Sequence, residues 1–252
     1  MTSRSVEMHE IRVPLEAVKR LSDEDRYSYY VLGHMFNELM CLQKLVGFAL
    51  SKHDDRRPAR LRPEYAQALF LFRMASSKIW EATLSLRSKE VAATLRKAIL
   101  PRMANGTDRL KALNAAVNAA RWLADMRNGI GFHFPSFAQW KPFTTPDGDW
   151  VDDVIFVGNQ AGNTFYDASD SIAQHWMFRQ YDSDVRASVD PLINEMIGLL
   201  RTVNSFLEDT LGVFVAEVLL AGNGQRKTVG KVIAPLHDRV SIPFWTAFTN
   251  DK

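Results

Sequence analysis

The chain has 252 residues, 46% of them hydrophobic and 24% charged, and a formal net charge of +2. These proportions supply enough apolar side chain for a sizeable core and exclude wholesale disorder, collagen and mucin-like stalks. Near-neutrality excludes a polycation, so any surface for a polyanion has to come from local segregation of charge.

The length suits one large domain or a domain with a substantial elaboration. The lone cysteine, Cys41, cannot close an intramolecular disulfide and no zinc-type Cys/His spacing is present, which points to a reducing compartment and implies neither metal nor cofactor. Glu7, Glu10 and Arg12 break the opening residues, so no signal peptide is expected there. No uncharged apolar run approaches the ~18 residues that read as a membrane span. The expectation is a soluble, cytoplasmic protein without membrane contact.

In chain order, Ser22 followed by Asp23, Glu24 and Asp25 is a strong helix start, because the hydroxyl can cap free N–H groups and the acids favour the positive end of the dipole. Leu32, Met35, Phe36, Leu39, Leu42, Leu45, Val46 and Leu50 recur at three- and four-residue steps, predicting a long amphipathic helix over residues 23–52. Residues 52–62 are polar, basic and contain Pro58, and read as an exposed connection. A second helix is predicted from Pro63 to Arg87, with Leu69, Phe72, Ser76, Trp80, Thr83 and Leu84 on one side. A third covers residues 88–100 and stops at Pro101. A fourth starts at Thr107 and Asp108 and carries Leu110, Leu113, Val117, Ala120 and Leu123 as its stripe.

Residues 129–167 change in texture, since Pro135, Pro142, Pro146, Gly148 and Gly158 interrupt any helix. Within them, residues 154–157 and 164–166 flank a Gly/Asn-rich stretch and predict a small β-hairpin. Periodicity returns from about Asp184, where Ile193, Met196, Leu200, Val203, Phe206, Leu207, Leu211 and Phe214 predict a last long helix, interrupted or kinked near Pro191. Residues 228–233 and 240–244 look strand-like without an evident place. The expected fold is all-α in the main: an N-terminal extension (1–21), a helical bundle (22–222) that includes the loop and hairpin insertion at 129–167, and a C-terminal tail (223–252).

Charge is polarised along this plan. Residues 51–127 hold 16 Lys/Arg against 7 Asp/Glu, and residues 147–195 hold 2 against 10. One reading is a basic face for a polyanion, with an acidic element that pairs with it; the other is a set of solvated helix surfaces.

The most informative stretch is Arg127-Asn128-Gly129-Ile130-Gly131-Phe132-His133-Phe134-Pro135. In an unbroken helix Arg127 and His133 lie about 120° apart, so bringing them to one point requires the glycines to distort the backbone. A forked guanidinium beside an imidazole that titrates near neutrality suits phosphodiester cleavage without metal. The alternative is a helix end in which Arg127 binds carbonyls, the glycines turn the chain and His133 caps it.

Arg127-Asn128 followed by His133, late in a helix of a helical bundle, resembles the motif of the HEPN superfamily. The resemblance implies a metal-independent endoribonuclease of the toxin–antitoxin or antiviral defence kind, and RNA, a second copy of the chain and an antitoxin or regulatory protein as partners. It gives His133 the role of general base or acid, Arg127 that of stabilising the phosphorane, and Asn128 that of orienting the phosphate or the imidazole. The product would be a 2′,3′-cyclic phosphate. A HEPN variant with a modifiable Tyr two positions after the His is not matched, since Pro135 stands there. The alternative function is a non-catalytic helical module that binds RNA, a nucleotide or a protein through the basic face.

Other candidates are weaker. His34 and Glu38 are four apart on a helix, a spacing that can share a metal, yet they lack further ligands and read as a surface pair. Glu38, Glu81 and Asp125 can serve as ion-pair partners. Cys41 reads as a core residue rather than a nucleophile. Phe132, Phe134, Phe137, Trp140 and Phe143, with His175-Trp176, could stack RNA bases but read better as a packed plug under the loop. Gly222-Asn223-Gly224 lacks the flanks of a phosphate-binding loop.

Overall fold

The computed structural model describes residues 3–50, 57–144, 153–160, 162–179, 181–182, 185–236 and 239–247. Strand β1 (Ser3–Ile11) opens the chain, followed by a short helix α1 (Leu15–Lys19) and the long α2 (Asp23–Ala49). Then come α3 (Pro58–Arg87), α4 (Lys89–Thr94), α5 (Gly106–Ala119), α6 (Trp122–Met126) and the four-residue α7 (Phe137–Trp140). The hairpin β2 (Ile155–Val157) and β3 (Thr164–Tyr166) leads into α8 (Asp167–Arg179), α9 (Val185–Val213) and β4 (Arg226–Pro235). Among the described residues 69% are helical, so the expectation of a mainly all-α fold holds. No helix among the described residues is long and apolar enough to cross a membrane.

The chain divides into two compact units. The first comprises residues 1–43, 78–121 and 197–236. Its α2 starts as the sequence predicts, with the Asp25 amide donating to Ser22 Oγ at 3.1 Å. Leu32, Met35 and Leu39 are buried, as are Leu113 and Val117 of α5 and Val203, Phe206 and Leu207 of α9. A buried relay ties α2 to α4: Ser28 Oγ donates to Thr94 Oγ1, which donates to Asp25. Past α4 the helix widens to a π-helical turn at Leu95–Ile99 just before Pro101, whose ring and missing N–H rule out a regular next turn. Strands β1 and β4 pair antiparallel, with a register shift between Met8 and His9. The first residues and part of the tail thus form one ribbon.

The second unit comprises residues 44–77, 122–196 and 237–252. Here α3 begins at Pro58, not at Pro63, which lies inside the helix. Pro63 cannot donate to the carbonyl four residues back, and the indole N–H of Trp245 donates to that carbonyl, Ala59 O, at 2.8 Å. A residue of the tail therefore satisfies the group that the proline leaves open. The hairpin stands where expected, joined through Ile155–Tyr166, Phe156–Phe165 and Val157–Thr164. Asn163, buried beside it, clamps the tail: its Nδ2 donates to Thr246 O at 2.6 Å and its Oδ1 accepts from the Thr246 amide at 3.1 Å. The strand-like stretch 240–244 forms no strand among its described residues.

Helix α8 is the element that periodicity overlooks. Acids Asp167 and Asp170 start it and Arg179 ends it, but its four-residue stripe is short, Ala168, Ile172 and Trp176, and its remaining large apolar residues, Met177 and Phe178, follow Trp176 directly. Pro191 is accommodated within α9, which runs on without interruption to Val213. Residues 51–56 and 145–152, which hold part of the basic connection and of the Pro/Gly-rich stretch, lie outside the described residues.

Candidate functional site

The Arg-Asn-Gly stretch lies wholly in the second unit. The helix that the sequence runs through to Arg127 is broken at Ala120, where φ −79° and ψ 67° leave helical geometry, and resumes as α6. It then widens into a π-helical turn at Arg127–Gly131. Turns of this kind are frequent at functional sites because they re-aim side chains. The sequence expectation that the glycines distort the helix is met, and the packing gives the cause.

Gly129 is buried against the indole of Trp176 on α8, and a Cβ built there would lie 2.0 Å from Cη2 and 2.5 Å from Cζ2. At Gly131 a Cβ would lie 1.8 Å from the hydroxyl of Ser77, which is fully buried on α3. Both glycines are there because other elements approach the turn too closely for any side chain. The widened turn is thus wedged between α3 and α8.

What the wedge holds outward is the motif. Arg127 Nη1 donates to Asn128 Oδ1 at 2.9 Å, with Asn128 exposed and Arg127 half-buried. His133 lies past the helix end, in the connection to α7, exposed and without a hydrogen bond or ion pair among the described residues. The structure therefore joins Arg127 to Asn128, and leaves His133 bonded to neither.

The aromatic residues depart from expectation. Phe132 is 41% exposed, Phe137 79% and Phe134 100%, so these three do not form a plug under the loop. Phe143 packs with its ring centroid 5.6 Å from that of His175, and Trp140 is half-buried. Three large apolar rings thus face water in the residues that follow Arg127 and flank His133 in the chain. Trp176 is buried, in the structural role just described.

The remaining candidates resolve as structural groups. Glu38 accepts from Lys78 at 2.8 Å and stands 3.7 Å from His34 Nε2. No group of three metal-type ligands occurs among the described residues. Glu81 is half-buried and Asp125 exposed. Cys41 is exposed, which corrects its assignment to the core: it lies two residues, about 200°, around the helix from buried Leu39. The basic and acidic stretches meet in the second unit where Arg62 pairs with Asp167.

Comparison of the chain with protein-family models, with curated proteins and with solved structures finds no match.

Proposed function

We propose that the protein is a HEPN-type, metal-independent endoribonuclease of the toxin or anti-phage defence kind, with RNA as substrate and Arg127, Asn128 and His133 as its catalytic residues. The observation that carries this reading is the wedged turn Arg127–Gly131, which holds the Arg127–Asn128 pair and is followed in the chain by an exposed His133, unpaired among the described residues, and by three exposed phenylalanines. Single-stranded RNA is gripped by stacking its bases on aromatic rings while cations hold its phosphates. The Phe132, Phe134 and Phe137 rings supply the first contact and Arg127 the second.

In the proposed reaction the His133 imidazole removes the proton of a ribose 2′-hydroxyl. The bond from O2′ to phosphorus forms and the bond from phosphorus to O5′ breaks, with the leaving oxygen taking up a proton. A 2′,3′-cyclic phosphate and a 5′-hydroxyl result. Arg127 stabilises the charge on the phosphorane oxygens, and Asn128 holds the guanidinium in place through the bond it already makes. The resemblance further implies a homodimer, in which a second His133 protonates the leaving oxygen, and control by an antitoxin or regulatory protein.

Loss of a positioned acid or base lowers such a rate by roughly 10²–10⁴-fold. Arg127→Ala should lose cleavage to a comparable degree while melting like the wild type. Phe134→Ala should weaken RNA binding by about 1–3 kcal/mol, the value of one stacked base. The exposed rings favour equally a second reading, a non-catalytic RNA-binding module. It predicts RNA binding that falls steeply with salt and no cleavage by any variant.

A further inference from the structure

The second unit contains a cleft of about 440 Å³ that the candidate site does not use. On α3, Gln67, Phe70 and Arg73 follow one another at three-residue steps along one wall. Asp170 of α8, Phe165 of β3 and Phe244 of the tail supply the others. The Phe244 ring meets Phe165 edge to face at 5.7 Å. The tail is anchored in the two residues that follow this contact, by the Trp245 indole on Ala59 O and by the Asn163–Thr246 clamp. The cleft is therefore built from four separate parts of the chain.

Two of its polar groups are incomplete. Gln67 Oε1 and Arg73 Nη1 are buried and have no hydrogen-bond partner among the described residues. Burial pulls the Arg73 guanidinium below its ordinary value, and the neighbouring Asp170 carboxylate acts in the opposite direction. Asp170 itself accepts from the Gln174 amide. The guanidinium otherwise lies over the Phe70 ring, 5.9 Å from its centroid, and that ring is 51% exposed. Folded proteins rarely leave a buried donor and a buried acceptor open on one helix without a function for them.

We infer that this cleft is a nucleobase-binding pocket, in which a planar heterocycle stacks on Phe70 and its edge meets the Gln67 amide and the Arg73 guanidinium. The size lies in the range of small-ligand sites. A simple anion fits poorly, because Asp170 opposes it and the Gln67 oxygen gains nothing. A purely apolar ligand would leave both polar groups open. A base offers donors and acceptors along one edge and a π-face for the phenylalanine.

The pocket also adjoins the proposed catalytic turn. Ser77, whose hydroxyl abuts Gly131, donates to Arg73 O at 2.9 Å and lies one helical turn along α3 from that residue. Its role as the subsite that holds one base of the RNA rests on the ribonuclease reading; its ability to bind a base does not.

The test is calorimetric titration of the full chain with the four ribonucleoside 5′-monophosphates, and with ribose 5-phosphate and inorganic phosphate as base-free probes. At least one nucleotide should bind saturably and neither base-free probe should. Phe70→Ala, at a half-exposed position that leaves the fold intact, and Gln67→Leu should each weaken binding at least tenfold, with unchanged thermal melting. Failure of every nucleotide to saturate at millimolar concentration would overturn the pocket. So would equal binding of ribose 5-phosphate, or affinities indifferent to both substitutions. Cleavage of RNA by a protein that binds no nucleotide would overturn the pocket and leave the ribonuclease standing. Nucleotide binding by a protein that cleaves no RNA would support the pocket alone.

Discussion

Gly129→Ala is the perturbation that tests the wedged turn most sharply, because two effects of opposite sign compete there. In a roomy helix, replacing Gly by Ala stabilises by about 0.5–1 kcal/mol through lost freedom of the unfolded chain. Gly198 on α9 is such a place, exposed and with nothing within 4 Å of a built Cβ. At Gly129 the same methyl lands 2.0 Å from the Trp176 ring, whereas carbon atoms rest at ~3.5–4.0 Å. Ring and turn must separate by roughly 1.5 Å to reach that spacing. Trp176 is only 6% exposed and has little room to retreat. Overpacking of this kind costs about 1–3 kcal/mol, and a rigid indole puts Gly129→Ala toward the upper end, near ~2 kcal/mol net. Urea unfolding should show that loss, with a gain of up to ~1 kcal/mol for Gly198→Ala. Trp176→Leu removes the clashing ring atoms, so in the double variant the added cost of Gly129→Ala should shrink by ~1 kcal/mol or more, a coupling that the cycle reads directly. Gly129→Ala as stable as the wild type, or the same cost with and without Trp176, would refute the wedge.

Asn163→Ala deletes both bonds that hold Thr246 and should cost about 1–3 kcal/mol, with faster amide exchange at residues 244–247 than elsewhere in the unit. Tyr65 has its hydroxyl pushed above the ordinary 10.0 by burial first and by the nearby Asp190 second. A raised folded value means that its contribution to stability is complete below the unfolded pKa and is lost as pH rises through the folded one. Stability should therefore decline above pH 10.0, and Tyr65→Phe should flatten that decline; an identical alkaline profile in the variant would contradict the assignment. The exposed Cys41 should react fully with a thiol reagent in the native protein, and labelling only after unfolding would return it to the core.

The periodic helices were legible because burial on one face repeats at the helical step: the stripe of α2 predicts its buried Leu32, Met35 and Leu39, and that of α5 predicts Leu113 and Val117. The hairpin was legible from its turn chemistry. What escaped the sequence depends on distant partners. The start of α3 at Pro58 becomes readable only when Trp245 is known to reach Ala59, and the ribbon only when residues 3–11 are known to meet 226–235. Helix α8 carries end signals but only a short stripe, Ala168, Ile172 and Trp176, and the last of these is the residue that meets Gly129.

The motif shows the same division. Arg127, Asn128 and His133 stand out by type and spacing, and the glycines announce a distortion. That the distortion is a π-turn pinned by Ser77 and Trp176 cannot be read locally, since neither residue is near in sequence. The exposure of Phe132, Phe134 and Phe137 likewise cannot be read from their own apolar character.

The central claim is tested most directly by incubating wild-type and His133→Ala protein with a tRNA pool and with total RNA in excess chelator, and mapping the ends of any fragments. The account predicts fragments with 2′,3′-cyclic phosphate and 5′-hydroxyl ends from the wild type and none from His133→Ala, both proteins melting alike. Equal cleavage by the two proteins, or intact RNA in both, would contradict it.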